Sequence, residues 1–398
     1  MTAALSILIP IHSFEPGGVE RVGLNLADSW RRAGHDVTIL LGRDEGPDRA
    51  QAPQLNYRRH PTIFSTARFE TLWMIWCMLL YLRRHRPDVI FCAGNSYAVV
   101  CVAMRLLRGR SCPPIVTKIS NDLIRRDMPY LWRAAYGLWL RIQGRLFDRI
   151  VGMAKPMRGE ITRLMRVEDD RIVIIPDPAL RRERLERLLT ITPRPSERGL
   201  RFVAIGRLAP QKNFSLLLQA FAAGSFPDDR LTIVGDGAER PALEALACSL
   251  HLKGKVTFKG HLQSPDQVLE QTDCLLLTSH YEGVPAVIVE AIAAGLAIIA
   301  TDCSQSMAEL TGHGSRGVLV PVGDIEGLVH WISRARALPR PDDSERQYAA
   351  AFVVEEACNS YLAVMHAAIN RSACHPVCHT QRDAEWQPRR SLSHDNQT

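Results

Sequence analysis

The sequence predicts an α/β protein with two doubly wound, Rossmann-like domains facing an interdomain cleft. Three observations carry that expectation. The chain has 398 residues, too many for one ordinary core, so two domains are expected. Short β-branched runs alternate with longer helical stretches, the pattern of parallel strands joined by crossover helices. The alternation also runs twice, interrupted between Arg181 and Gly199 by a polar segment bearing Arg and Pro.

The first strand is Leu5 to Ile11, followed by a glycine-rich loop, Glu15-Pro16-Gly17-Gly18. A helix from about Val19 to Ala33 is indicated by Val22, Leu26 and Trp30, spaced along one face. Gly34 ends it, and Val37 to Leu41 forms the next strand. Further strands are expected at Val89 to Cys92, Ile115 to Lys118, Arg149 to Met153 and Ile172 to Ile175, giving a domain over residues 1–178. Residues 179–199 read as a linker. The second series has strands at Arg201 to Ile205, Leu231 to Val234, Val256 to Lys259, Cys274 to Thr278, Ala297 to Ala300 and Val318 to Val320, giving a domain over residues 200–342. Residues 343–370 read as a C-terminal helix that closes the fold. Residues 371–398 are polar with few apolar anchors and are expected to be a disordered tail. Two such domains in tandem place a ligand between the carboxyl ends of their strands.

The composition is that of a globular protein, with 46% hydrophobic and 23% charged residues. The net charge of +7 is unevenly placed. Residues 1–180 hold 26 Lys+Arg against 17 Asp+Glu, whereas residues 181–398 hold 23 against 25. A basic first half favours an anionic partner, although a generally Arg-rich composition accounts for the same count. The ten cysteines lie mostly in apolar runs without disulfide-scaffold spacing, which points to a reducing compartment. Cys374-His375-Pro376-Val377-Cys378-His379 offers four metal-ligand types, but the spacing is too cramped for the usual zinc finger. No basic stretch precedes the first strand, as a signal peptide would require. The longest apolar run, Leu72 to Leu82, is too short for a bilayer, which needs about 20 residues. A cytoplasmic protein, peripheral on the inner face of the membrane, is the expectation.

The second half carries the informative chemistry. After its first strand come Gly206, Arg207 and, across a loop leading into a helix, Lys212. A diphosphate needs cations and backbone donors in one place; Arg offers a planar fork, Lys a point charge, and the helix start partial positive charge. Farther on, Glu282 and Glu290 bracket Glu282-Gly283-Val284-Pro285-Ala286-Val287-Ile288-Val289-Glu290. A carboxylate can accept two O–H bonds from the vicinal diol of a ribose. Glu290 stands in an otherwise apolar stretch, where a buried carboxylate requires a partner.

In this order and spacing, Gly17-Gly18-Val19-Glu20, Gly206-Arg207 with Lys212, Gly235-Asp236-Gly237 and Glu282 to Glu290 with Gly295 resemble the family 4 retaining glycosyltransferases of the GT-B fold. The resemblance covers residues 5 to 330. It implies a nucleotide-sugar donor and a glycan or lipid-linked acceptor, with acceptor binding in the first domain. It implies catalytic roles for Arg207 and Lys212, which would hold the diphosphate and neutralise the leaving group, and for Glu282, which would face the donor sugar. Donor-binding roles follow for Gly17, Gly18, Asn121, Gly206, Gly235, Gly283 and Val284, and ribose binding for Glu290. The donor phosphate itself would help deprotonate the acceptor. No cofactor is implied. No Asp-x-Asp triplet occurs, so no divalent metal is expected.

The chain departs from the family pattern in three places. Asn121 stands where many relatives carry a His that meets the donor sugar; Asn bonds to a hydroxyl but cannot exchange a proton near pH 7. Asp177 replaces the usual Asn of the interdomain Pro-Asn, and Gly295-Leu296-Ala297 replaces Gly-Leu-Pro. Two stretches of the first half, Leu72 to Arg86 and Arg125 to Arg149, mix aromatic, apolar and Arg residues. They suit a membrane interface or an ordinary amphipathic helix. No nucleic-acid recognition module is present. A dinucleotide-dependent oxidoreductase is disfavoured because Pro16-Gly17-Gly18-Val19 lacks the Gly-x-Gly-x-x-Gly turn. A GT-B-fold protein that binds a nucleotide-sugar or glycan without turnover is the remaining alternative, and Asn121 is its one hint.

Overall fold

Strands and helices alternate along a computed structural model of the chain, which describes residues 3–15, 17–62, 66–124, 128–192 and 198–373. The first series comprises β1 (Ser6–Ile11), β2 (Asp36–Leu41), β3 (Asn56–Arg59), β4 (Val89–Cys92), β5 (Ile115–Lys118), β6 (Arg149–Gly152) and β7 (Ile172–Ile174). They form one parallel sheet in the order β3-β2-β1-β4-β5-β6-β7. The second series comprises β8 (Arg201–Ile205), β9 (Arg230–Val234), β10 (Val256–Gly260), β11 (Cys274–Leu277), β12 (Ala297–Thr301) and β13 (Val318–Val320). It forms a second parallel sheet, β10-β9-β8-β11-β12-β13. Helices cover both faces of such sheets, so β4, β11 and β12 are buried along their whole length and read as unbroken apolar runs. Strand order reverses between β1 and β4 and again between β8 and β11, and the loops at those carboxyl ends bound a crevice in each sheet.

Three elements differ from the sequence reading. The edge strand β3 was not expected, because Asn56-Tyr57-Arg58-Arg59 has no apolar alternation; it is held by its parallel pairing with β2 and is mostly exposed. The expected linker contains a helix, Arg182–Thr190, that buries Leu185 and Leu188. Its Arg- and Glu-rich sequence disguises two apolar anchors three residues apart. Residues 193–197 of that linker lie outside the described residues. The closing segment is not one helix. A short turn, Asp343–Arg346, capped by Asp342 and Glu345, leads through a 3-10 stretch, Gln347–Phe352, into the helix Val354–Ala373. That helix runs into the start of the expected tail, while residues 374–398, including the Cys374–His379 cluster, lie outside the described residues. Among the described residues every cysteine is a free thiol, and all but Cys248 are buried.

The last helix returns to the first sheet. Tyr361, Met365 and Ala368 join the core built by Trp30, Ile39 and Phe91. The Tyr361 ring stands edge-on to Phe91 at 5.5 Å and to Trp30 at 6.1 Å. Trp30 Nε1 donates to the Cys358 carbonyl at 3.4 Å. The two chain crossings run side by side: Leu180 N donates to Phe352 O at 3.1 Å, and Val354 N to Leu180 O at 2.8 Å. Replacing Tyr361 by Ala leaves a cavity between this helix and the first sheet, and is expected to cost about 3–5 kcal/mol. Denaturant unfolding of the variant beside the wild type measures it.

Candidate active site

The loops after β8 and β11 hold most of the residues singled out in the sequence. Arg207 is exposed and, among the described residues, its guanidinium has no ion-pair partner. Lys212 ends the same loop, and its Nζ lies 2.5 Å from Glu282 Oε1. Ser279 Oγ donates to the same oxygen at 2.6 Å. The two loops meet because short bonds tie them together. Gln211 Nε2 donates to Tyr281 O at 2.8 Å, His280 N to Gln211 O at 2.8 Å, and Thr278 Oγ1 contacts the Lys212 and Asn213 carbonyls at 3.1 Å each.

The loop carrying Glu282 is also fixed from behind. Glu282 N donates to Cys303 O at 3.0 Å. The Gly283 carbonyl accepts from Ser304 Oγ at 2.6 Å and from Ser306 Oγ at 2.7 Å. With that carbonyl anchored, the amides of Gly283 and Val284 have no acceptor among the described residues, and they lead into the helix Ala286–Ala294. Free amides at a helix start form an anion site. Ser304 and Ser306 were not read from the sequence, where two serines after a strand carry no distinguishing pattern.

Two glycines permit close approaches here. Gly235 is in the left-handed region, at φ +135°, and a Cβ there would lie 1.9 Å from the Gly206 carbonyl, so the loops after β8 and β9 touch. At Gly283 a Cβ would lie 2.4 Å from both Ser120 O and Met153 Cε of the first domain. Gly17 is extended and precedes the helix Gly18–Arg32; a Cβ on it would meet Glu20 Oε2, while one on Gly18 would face open space. Pro16 lies outside the described residues.

Asn121 is half-buried at the first-domain side and makes no side-chain hydrogen bond among the described residues. Its neighbour spans the cleft instead. Gln305 N donates to Asp122 Oδ2 at 2.7 Å, and Asp122 N approaches the Glu282 carbonyl at 3.5 Å. Among the described residues Asp122 Oδ1 is buried without a hydrogen-bond partner. Burial pushes the Asp122 carboxyl up to about 7, with Glu160 and Asp302 adding to the rise and the Gln305 amide opposing it.

Glu290 is 2% exposed. Its partner is Arg184, whose Nη1 lies 3.2 Å from Glu290 Oε1 and whose Nη2 lies 3.2 Å from Asp266 Oδ1. Arg184 belongs to the helix Arg182–Thr190, so the partner that a buried carboxylate requires comes from the segment read as a linker.

The chain matches two glycosyltransferase families over most of its length: Glycosyltransferase Family 4 over residues 16–178, and Glycosyl transferases group 1 over residues 193–351. A GDP-mannose-dependent alpha-mannosyltransferase of Mycobacterium tuberculosis is 28% identical, over 80% of this chain and 85% of its own. An uncharacterized glycosyltransferase of Haemophilus influenzae is 34% identical, but over 32% of this chain and 36% of its own, so the match spans about a third of that relative. Among solved structures, Anabaena HepE in complex with UDP and glucose superposes with a TM-score of 0.65 at 18% identity, covering 93% of this chain and 99% of that one. The two parallel sheets facing one cleft are the GT-B fold, and the chain belongs to the family 4, group 1 glycosyltransferases.

Two substitutions test this geometry. A carboxyl whose pKa is raised from 3.8 to about 7 holds its proton more tightly in the fold, so stability falls as pH rises through that window. Asp122→Asn keeps the oxygen facing Gln305 N and removes the ionisation. It is expected to raise the melting temperature by a few degrees at pH 8 and change little at pH 4, as thermal melts across that range measure. Gly283→Ala forces the contact with Ser120 apart and is expected to lower both the melting temperature and turnover.

Proposed function

We propose that this glycosyltransferase moves a sugar from a nucleoside-diphosphate sugar to an envelope, polysaccharide or lipid-linked acceptor, with retention at the anomeric carbon and without a divalent metal. The observation that carries the reading is Lys212, held against Glu282 beside the free amides of Gly283 and Val284, with Arg207 exposed on the same loop. Departure of a nucleoside diphosphate builds negative charge on its β-phosphate. Lys212 and Arg207 would take that charge, in the role a metal fills elsewhere, and the Gly283 and Val284 amides would bind phosphate or sugar oxygens. Preorganised donors of this kind lower the barrier by about 2.7–4 kcal/mol each. Glu282 would both aim Lys212 and face the donor sugar, and Glu290 would meet the ribose hydroxyls. Gly206 and Gly235 would shape the floor, and Gly17, Gly18 and Asn121 would close over the donor from the first domain.

The acceptor class is supported by what relatives are named for, such as amylovoran biosynthesis in Erwinia amylovora and lipopolysaccharide 1,6-galactosyl transfer in Escherichia coli. Among the described residues no helix is long and apolar enough to cross a membrane. The first domain nevertheless presents an apolar and basic face suited to an anionic membrane surface. The helices Glu70–Arg84, Ala98–Arg108 and Tyr130–Leu146 lie side by side, with the middle one touching both others. Leu131 is 79% and Trp132 70% exposed, near exposed Arg133, Arg141 and Arg145. Such a mixture suits the headgroup region. Arg125 and Arg126 of this stretch lie outside the described residues.

Thermal melts against UDP-, GDP- and ADP-sugars without metal test the donor site. One nucleotide class is expected to stabilise the wild type, by about 2.7 kcal/mol at 100 times its Kd. Lys212→Ala and Arg207→Ala should each abolish most of that shift and lower turnover about 10²–10³-fold. No shift with any nucleotide would remove the donor reading. On vesicles containing phosphatidylglycerol, Leu131→Glu combined with Trp132→Glu is expected to lose sedimentation that the wild type shows, with turnover on a water-soluble acceptor unchanged.

A further inference from the structure

A cavity of about 170 Å³ lies where the chain crosses between the two sheets, lined by Ser29, Arg32, Arg181, Glu355, Cys358 and Asn359. None of these residues belongs to the donor chemistry. They come from three segments: the later turns of the helix Gly18–Arg32, the crossing that leads into the helix Arg182–Thr190, and the first turns of the helix Val354–Ala373. The Cys358 thiol contributes a neutral patch, because burial pushes its pKa up to about 11, with Glu355 adding to the rise.

The charges around this cavity do not balance. Asp28 is buried beneath it and meets three guanidiniums: Arg31 Nη2 lies 3.1 Å from its Oδ1, while Arg32 Nε at 3.1 Å and Arg181 Nη1 at 3.0 Å share its Oδ2. Burial alone would raise the Asp28 pKa, but hydrogen bonds from Arg181 and Arg31 and the charges of Arg181 and Arg32 hold it below its ordinary value. Among the described residues Asp28 is the only ion-pair partner of these three arginines. One carboxylate cannot neutralise three cations, and Glu355 offsets the excess only in part. Because Arg32 and Arg181 approach the same oxygen, their planar forks stand side by side, and one phosphate dianion would engage both. The remaining lining is polar without being cationic. Glu355 accepts from the Arg182 amide at 3.1 Å and has no ion-pair partner among the described residues, so its carboxylate is open to a hydroxyl. Ser29 and Asn359 can each donate or accept. The lining therefore suits a phosphate that carries hydroxyl groups. Its place matters as well: Leu180 and Val354, which join the two crossings, immediately precede Arg181 and Glu355, so a ligand spanning Arg32, Arg181 and Asn359 would fasten the crossings to the first domain.

We propose that this cavity binds a small, soluble phosphate monoester bearing hydroxyl groups, with Arg32 and Arg181 on the phosphate and Glu355 on a hydroxyl, and that its occupancy changes nucleotide affinity in the donor cleft. Only the second half rests on the donor reading. The probes are glycerol 3-phosphate, inorganic phosphate and glycerol, titrated calorimetrically into the full chain at fixed ionic strength. Glycerol 3-phosphate is expected to bind, glycerol alone to give no signal, and inorganic phosphate to bind about tenfold more weakly than the ester. Arg32→Gln, which removes an exposed guanidinium, and Ser29→Asp, which sets a carboxylate beside the phosphate, should each weaken the ester about tenfold without lowering the melting temperature. Glu355→Gln should narrow the gap between ester and inorganic phosphate, and Lys212→Ala should leave ester binding intact. No binding of the ester, binding that survives both Arg32→Gln and Ser29→Asp, or binding lost in Lys212→Ala, which would put the phosphate in the donor cleft, overturns the assignment. Arg32→Gln should also sediment with phosphatidylglycerol vesicles as the wild type does; loss of sedimentation there would assign the site to a lipid headgroup and overturn the soluble ligand. For the coupling, saturating glycerol 3-phosphate is expected to shift the Kd of UDP or GDP about fivefold in the wild type and not in Ser29→Asp. An unchanged Kd overturns the coupling alone, whereas a protein that binds the ester but neither nucleotide overturns the donor site and leaves the cavity assignment standing.

Discussion

The Lys212–Glu282 ion pair joins the two loops on which the rest of the cleft depends. A partly buried lysine or glutamate left alone would carry a desolvation penalty that its partner here offsets. Because Ser279 donates to the same carboxylate oxygen and Gln211 and Thr278 bind the loops together, the direction of the Lys212 ammonium is set by the second sheet and not by its own flexible stem. An incoming anion must compete with Glu282 for that ammonium. A ligand of single negative charge would gain little from the exchange, whereas a diphosphate that also reached the Gly283 and Val284 amides and Arg207 would gain several contacts at once. The pair would thus act as a threshold as well as a support.

The same rule, that no charge is buried without a partner, positions the parts around the cleft. Lys118, 2% exposed at the end of β5, pairs with Asp177 where the chain leaves the first sheet. Arg346 is buried and donates to the Ala293 carbonyl at 2.8 Å and to the Leu188 and Ile191 carbonyls at 3.0 Å each. It therefore fastens the helix Arg182–Thr190 to the helix Ala286–Ala294. That fastening brings Arg184 to Glu290, so the environment of the expected ribose ligand depends on a residue 56 positions farther along the chain. The interdomain contact is made differently. Gly283 packs against the Ser120 carbonyl and the Asp122 carboxylate accepts from the Gln305 amide, both beside Glu282, so relative movement of the two sheets would be felt directly at the Lys212–Glu282 pair.

How much of this was legible in the sequence follows from the reach of each signal. Strands such as β4, β11 and β12 are buried on both faces and announce themselves as apolar runs, and Gly206, Lys212, Glu282 and Glu290 stand in a familiar order. Edge strand β3 is invisible because its stability is backbone pairing with β2, which leaves no apolar pattern. The helix Arg182–Thr190 is hidden because Arg184 and Arg187 alternate with its two apolar anchors, Leu185 and Leu188, and that composition resembles a solvated linker. Ser304, Ser306 and Asp122 act through single hydrogen bonds across long sequence separations, which no local pattern records. Arg181 is one more basic residue of the linker until the fold sets it beside Arg32 on Asp28.

The arrangement of the cleft calls for a nucleoside diphosphate held between the loops after β8 and β11. A crystal structure with the nucleoside diphosphate that most stabilises the protein tests this most directly. Its β-phosphate is expected within hydrogen-bond distance of Lys212 Nζ and of the Gly283 or Val284 amide, with the ribose against Glu290. A nucleotide seated elsewhere, or a Lys212–Glu282 pair left untouched by the bound phosphate, would contradict it.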